Sequence, residues 1–140
     1  MFENHNPPTV VVGRIWIGDQ KTGGLLAITR GLKDGYGKTC LPGGFQEMGE
    51  TWQDAIIREV LEETGIQTEP HFYVISHIES VENNSKNLLF VDYVKPIGSW
   101  TPETSEESLE VFVWRPEDSR EFAFPTHADA AHSFFPKGRR

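Results

Sequence analysis

Apolar residues fall in short β-like runs along most of this chain, and one run changes to a helical period. Thr9–Ile17 (TVVVGRIWI) is β-branched and aromatic and predicts a strand. Residues 19–24 read as a turn, and residues 25–30 (LLAITR) as a second strand. Residues 31–38 (GLKDGYGK) form a Gly-rich loop, and residues 39–42 lead out of it. Between Thr51 and Gly65 the apolar positions recur at helical spacing, with Ile56, Ile57, Val60 and Leu61 as the arc expected in the core. Thr51 stands as N-cap with Asp54 three residues on, a variant of the capping box. Gly65 sits where a left-handed residue ends a helix. Residues 71–81 (HFYVISHIESV) and 87–95 (NLLFVDYVK) predict two further strands joined by a turn over 82–85. The second alternates imperfectly, as a strand buried on both faces does. Residues 99–108 are a polar, acidic loop, and residues 110–115 (EVFVWR) a strand. Thr126 opens a helical pattern, THADAAHSFF, with Thr126 as N-cap and Asp129 at the third helical position.

Strands interspersed with two helices predict an α/β chain with a mixed sheet packed between helices. No repeat or linker divides the 140 residues, which read as a single domain over 1–140. Residues 1–8 read as a loose N-terminal arm and residues 136–140 as a frayed tail.

Composition narrows the function. Hydrophobic residues make up 37 %, with 9 Phe, 4 Trp and 3 Tyr, enough to build one core. The formal charge of −8 disfavours a stable nucleic-acid complex, RNA ends included, because most of the surface repels a polyanion. A small phosphorylated substrate stays compatible if cations neutralise it. The one cysteine, Cys40, forms no intramolecular disulfide and no zinc-type pair, and reads as a small buried strand residue. No apolar stretch approaches the length of a membrane span, so the expected setting is the cytoplasm.

Candidate chemistry concentrates on the first helix. Arg58, Glu59, Glu62 and Glu63 lie within two turns, next to a Gly-rich loop at Gly43 and Gly44. Carboxylates three and four apart share a face and repel, by a few tenths of a kcal/mol per pair. Such a cluster predicts a hard, oxygen-seeking cation among the carboxylates, Mg2+ or Mn2+.

The stretch from Gly44 to Ile66, GFQEMGETWQDAIIREVLEETGI, resembles the Nudix box, signature of hydrolases that cleave nucleoside diphosphates linked to another group. The pattern is a glycine, five residues, a glutamate, seven residues, then R-E-U-x-E-E-x-G-U with U bulky and apolar. Gly44, Glu50, Arg58, Glu59, Val60, Glu62, Glu63, Gly65 and Ile66 fill it without departure. The resemblance implies an α/β/α sandwich and a Mg2+- or Mn2+-dependent hydrolase. Its substrate would be a small nucleotide, a nucleoside diphosphate derivative or nucleoside triphosphate attacked by water. It implies Glu59, Glu62 and Glu63 as metal ligands, joined by a backbone carbonyl of Gly44 or else Gly43. Arg58 would hold the glutamates in place, with Glu50 as its partner. The general base would be a box glutamate or a carboxylate of the later loop: Glu107 first, then Glu110, with Glu103 and Glu106 behind. A homodimer is an assembly the resemblance allows. The alternative function is a nucleotide-binding sensor that keeps the fold without turnover.

Markers outside the box are mostly missing. There is no SQPWPxS run, so the chain departs from NADH pyrophosphatases. Counting puts Glu82 where ADP-ribose pyrophosphatases carry a proline, and Asn83 or Asn84 where diadenosine polyphosphate hydrolases carry a tyrosine. A coenzyme A signature is absent too. The chain thus resembles nucleoside triphosphate pyrophosphohydrolases or generalist members. His77 and His127 read as structural or surface residues, with phosphate contact or acid catalysis as the other role. Trp16, Trp52, Trp100 and Phe124 are the aromatics available to stack on a base, against a background in which most aromatics build the core.

Overall fold

The computed structural model of the chain describes residues 7–136, so most of the expected arm and tail lie outside the described residues. Its strands are β1 (Thr9–Ile17), β2 (Gly24–Arg30), β3 (Thr39–Cys40), β4 (Gly43–Phe45), β5 (Tyr73–Val81), β6 (Lys86–Ile97) and β7 (Ser108–Trp114). Its α-helices are α1 (Trp52–Thr64) and α2 (Pro125–Ser133). The strands form one sheet in the order β3-β2-β1-β6-β5, with β4 added on β1 and β7 on β2. β1 and β6 run parallel, and the other pairings among these strands are antiparallel.

The central strands alternate between two cores, as a period of two demands. Val11, Ile15, Leu26, Ile28, Leu89 and Val91 face Ala55, Ile56 and Val60 of α1. Val12, Leu25, Ala27, Leu88, Phe90 and Trp114 face Ala131 of α2. The result is an α/β/α sandwich around a mixed sheet, as the element pattern predicts. β6 is buried on both faces over Leu88–Val91, which explains its imperfect alternation.

Both ends of α1 follow their sequence signals. Thr51 Oγ1 accepts from Asp54 N–H at 3.0 Å, while Asp54 Oδ2 accepts from Thr51 N–H at 3.3 Å. Gly65 closes the helix at φ 80°, and its N–H reaches the Leu61 carbonyl.

Five local expectations are corrected. Leu61 is 42 % exposed rather than in the core. At about 100° per residue it stands about 140° from Ile56, whereas Glu63 stands within about 20° and is buried instead. The Gly43–Gly44 stretch is not a loop but the short strand β4, paired with Val12 and Val11. Thr126 does not cap α2, because the helix starts one residue earlier at Pro125 with Phe124 as N-cap. Proline is favoured there, since its missing N–H is one of the donors a helix start leaves unpaired. Finally, residues Pro70–Phe72 form a 3-10 turn ahead of β5, and β7 begins at Ser108 rather than at residue 110.

Candidate active site

β4 pairs antiparallel with the start of β1 and brings its backbone against α1. Two glycines make that close approach possible. A side chain at 43 would strike the Val11 carbonyl, and one at 44 would land on the Glu59 carboxylate. Gly44 therefore leaves the space that Glu59 fills.

Two of the three helix carboxylates meet in that space. Glu63 is only 6 % exposed, and its Oε1 accepts from Gly43 N–H at 3.0 Å. Glu59 lies close beside it, near enough for its charge to act on Glu63. Burial raises the proton affinity of both above the ordinary carboxylate range, and for Glu63 the neighbouring charge of Glu59 raises it further. The pair thus behaves as one unit, Glu63 buried and Glu59 half-buried, whose charge a cation would relieve. Glu62 is not drawn into it, for its side chain is 59 % exposed and lies by Arg58. Among the described residues, no three acidic, histidine or cysteine side chains are grouped so as to hold a metal ion. Glu59 and Glu63 with the β4 backbone do supply hard oxygen donors around a cradle kept open by Gly44. That donor set fits Mg2+ or Mn2+ better than a soft metal.

Arg58 organises the outer side of this pair. Its Nε and Nη2 form a fork on Glu50 at 2.7 and 3.0 Å. Its Nη1 donates to Glu59 at 3.0 Å and Glu62 at 3.3 Å, and Nη2 to the Phe45 carbonyl at 3.0 Å. Arg58 and the Glu47 N–H together hold the Glu50 carboxyl down at about 2. Arg58 itself is pushed further above its already high range, first by Glu50. One guanidinium thus ties the loop before α1, the end of β4 and two turns of the helix together.

The pair forms part of the wall of a cavity of about 580 Å³. Of the four later-loop candidates, Glu107 alone lines this cavity. Its charge acts on Glu63, and its carbonyl is fixed by Gly31 N–H at 2.9 Å. Glu110 is engaged elsewhere, with Thr29 Oγ1 at 3.0 Å and Arg120 at 3.4 Å. Glu103 packs against Gly65 at the end of α1, and the Glu106 carbonyl abuts Gly31.

The rest of the wall comes from sites scattered along the chain. Arg30 and Lys86 bring positive charge, each beside an aromatic ring: Arg30 lies 4.9 Å from the Phe124 centroid, Lys86 5.7 Å from that of Phe45. The sequence reading did not single out Arg30, Lys86 or Phe45. Arg30 had one weak signal, a cation closing an apolar strand just before a glycine-rich loop. Phe124, one of the aromatics available for stacking, does line the cavity. Trp16 packs on Phe134 and Phe135 away from it, and Trp52 and Trp100 pack on the core under α1. His77 is exposed beside Glu79, outside the cavity. His127 is buried in the cavity wall, where its Nδ1 accepts from Leu41 N–H at 3.1 Å. Cys40 is buried as expected, and burial followed by the charge of Glu63 pushes its thiol up to about 12, which leaves it inert.

Comparison with known proteins gives a consistent result. A family model described as the NUDIX domain matches residues 7–137. An ADP-ribose pyrophosphatase of Methanocaldococcus jannaschii is 44 % identical over 59 residues, 42 % of this chain and 33 % of that protein. The chain therefore spans about a third of that relative's length. A MutT-like protein of Streptomyces ambofaciens is 33 % identical over 121 residues, 85 % of this chain and 73 % of that protein. Among solved structures, a bifunctional NMN adenylyltransferase/ADP ribose pyrophosphatase from Francisella tularensis, complexed with AMP and a Mn ion, matches with a TM-score of 0.69. The identity is 17 %, covering 95 % of this chain and 42 % of the other, and the likeness is one of fold.

Proposed function

The chain belongs to the Nudix family, and from that membership we propose that it is a divalent-metal-dependent hydrolase of a nucleotide pyrophosphate linkage. The observation that carries this reading is the Glu59–Glu63 pair, Glu63 buried and Glu59 half-buried, set against Gly44 in the wall of a cavity with two cations. A pyrophosphate is inert because its negative charge repels nucleophiles, so a site that cleaves it must bring positive charge. Glu59, Glu63 and the Gly44 carbonyl would hold a divalent ion, with Glu62 as a further carboxylate, and the ion would supply Lewis acidity and an acidified water. The Mn ion in the Francisella tularensis structure supports that choice of metal. Arg58 and Glu50 keep the carboxylates in position. Arg30 and Lys86 take phosphate charge, and Glu107 accepts the proton of the attacking water.

The substrate class in this reading is a nucleoside diphosphate derivative or a nucleoside triphosphate. An ADP-ribose pyrophosphatase and a MutT-like protein among the relatives support that breadth. The setting is the cytoplasm, in keeping with a free nucleotide substrate. Among the described residues no helix is long and apolar enough to cross a membrane. A homodimer belongs to the same reading, supported by the edge position of β5 with Val74, Ile75 and Ile78 exposed.

The test is product release across nucleoside triphosphates, ADP-ribose, nucleotide sugars and dinucleoside polyphosphates, with Mg2+, Mn2+ or EDTA. A metal-dependent hit abolished by EDTA is expected. Turnover of none by a folded protein would overturn the reading and favour the sensor.

A further inference from the structure

His127 is a buried side chain with one nitrogen in use and one free. It sits at the third position of α2, 7 % exposed, between the rings of Phe124 and Phe90. Its Nδ1 accepts a hydrogen bond from the Leu41 backbone N–H. A backbone N–H can only donate, so Nδ1 must keep its lone pair. In a neutral imidazole the proton then sits on Nε2, which becomes a donor with no capacity to accept. Neutrality is secured by burial and by the nearby charge of Arg30, which hold the ring down at about 4. Nε2 has no hydrogen-bond partner among the described residues. It is not sealed off either: the buried polar side-chain atoms that lack any partner are Ser108 Oγ and Trp114 Nε1. The opening beside His127 is the same cavity that Glu59 and Glu63 line. The uncharged wall next to it is apolar, with Leu41 and Phe124, and Arg30 lies on the Phe124 ring. A lone donor in such a wall is costly unless a ligand acceptor meets it, and it rejects a ligand that offers a second donor there.

We propose that His127 is a specificity-determining residue whose Nε2–H reads a hydrogen-bond acceptor, a ring nitrogen or carbonyl, on the edge of the substrate's nucleobase. This rests on the nucleotide-hydrolase reading of the cavity and adds the part of the substrate that the residue recognises. The locked tautomer makes the selection one-sided. A base that turns an amino group toward position 127 finds no acceptor, and one that turns a carbonyl or ring nitrogen finds a donor already in place.

Two substitutions separate this role from a structural one. In His127→Asn the amide oxygen takes the place of Nδ1 and still accepts from Leu41 N–H, while the reach of Nε2 is gone. In His127→Gln the amide nitrogen takes the place of Nε2 as donor, while the bond to Leu41 is lost. The readout is calorimetric affinity for AMP, GMP, CMP and UMP in metal-free buffer, which needs no turnover. The wild type is expected to rank the four, and His127→Asn to weaken the best by about tenfold and level the ranking. His127→Gln keeps the ranking with a lowered melting temperature. An unchanged ranking in folded His127→Asn, or no base-dependent binding by the wild type, overturns the proposal. If His127→Asn does not fold, the wild-type Nε2–H resonance decides. A shift on saturation with the preferred monophosphate supports the proposal, and no shift overturns it. Failure of the hydrolase reading looks different: the ranking and its loss in His127→Asn persist, but no substrate is turned over in Mg2+ or Mn2+.

Discussion

α1 and α2 cover opposite faces of one sheet and contribute to one cavity, yet they are specified in different ways. α1 is written locally. Thr51 and Asp54 cap it reciprocally, Gly65 closes it, and its buried side carries Ile56, Val60 and the Glu63 carboxylate, with half-buried Glu59 beside it. α2 has no side-chain cap and begins on a proline. Its position comes from distant partners: His127 to Leu41, and the Ala130 carbonyl to Arg14 Nη1 at 3.0 Å. Arg14 in turn forks on Asp92 at 2.7 and 2.9 Å. The helix that holds the reactive carboxylates is thus fixed by its own sequence, and the one that shapes the ligand wall by contacts nearly a chain length away. Such a division lets the ligand wall vary while the carboxylate end stays intact.

That contrast breaks most visibly at Gly44. In Gly44→Ala the added methyl meets the Glu59 carboxylate. Displacing a reacting group by an ångström costs about a hundredfold in rate, so turnover should fall at least that far. Urea unfolding should change little, because the methyl displaces a side chain and not the core. Rates near wild type would mean that the cradle does not set the position of Glu59.

On the α2 side the largest expected effect is one of pH. His127 is held down at about 4 when folded, against 6.5 when free. Between those values the unfolded chain binds a proton that the folded chain refuses. Its contribution is complete above pH 6.5 and is lost as pH falls through 4, by about 3 kcal/mol. Urea unfolding at pH 7, 6 and 5 should show this slope in the wild type and a flatter one in His127→Asn. Equal slopes would show that the imidazole is not the group responsible.

The smallest effect sharpens the contrast directly. Thr51→Ala should cost about 1 kcal/mol, the usual value of a lost N-cap. Thr126→Ala, at the position the pattern marked as a cap but the structure does not, should stay within about 0.5 kcal/mol. Equal losses in the melting curves would erase the distinction between the two helices.

The same division governs what was legible in the chain. The Gly44–Ile66 stretch announces its helix, both helix ends and its chemistry, because capping residues and clustered carboxylates act within a few positions of one another. The β4 strand was hidden, since Gly43 and Gly44 have no strand preference and pair only because β1 lies beside them. The burial of Glu63 was hidden by its charge, although its angle around the helix matched that of Ile56. Arg30, Phe45, Lys86 and His127 stand far apart in sequence and share a wall only after the sheet has closed. Glu107 was legible as one of four acidic candidates, and the turn at Gly31 is what brings it to the cavity.

The proposed hydrolase stands on Glu59 and Glu63 as the seat of a divalent ion. The most direct measurement is Mn2+ binding followed by electron paramagnetic resonance, in the wild type and in folded Glu63→Gln, without nucleotide. Since changes one shell out already weaken metal sites about 10- to 100-fold, loss of this carboxylate should weaken binding at least tenfold. Equal Mn2+ affinity in the two proteins would contradict the account.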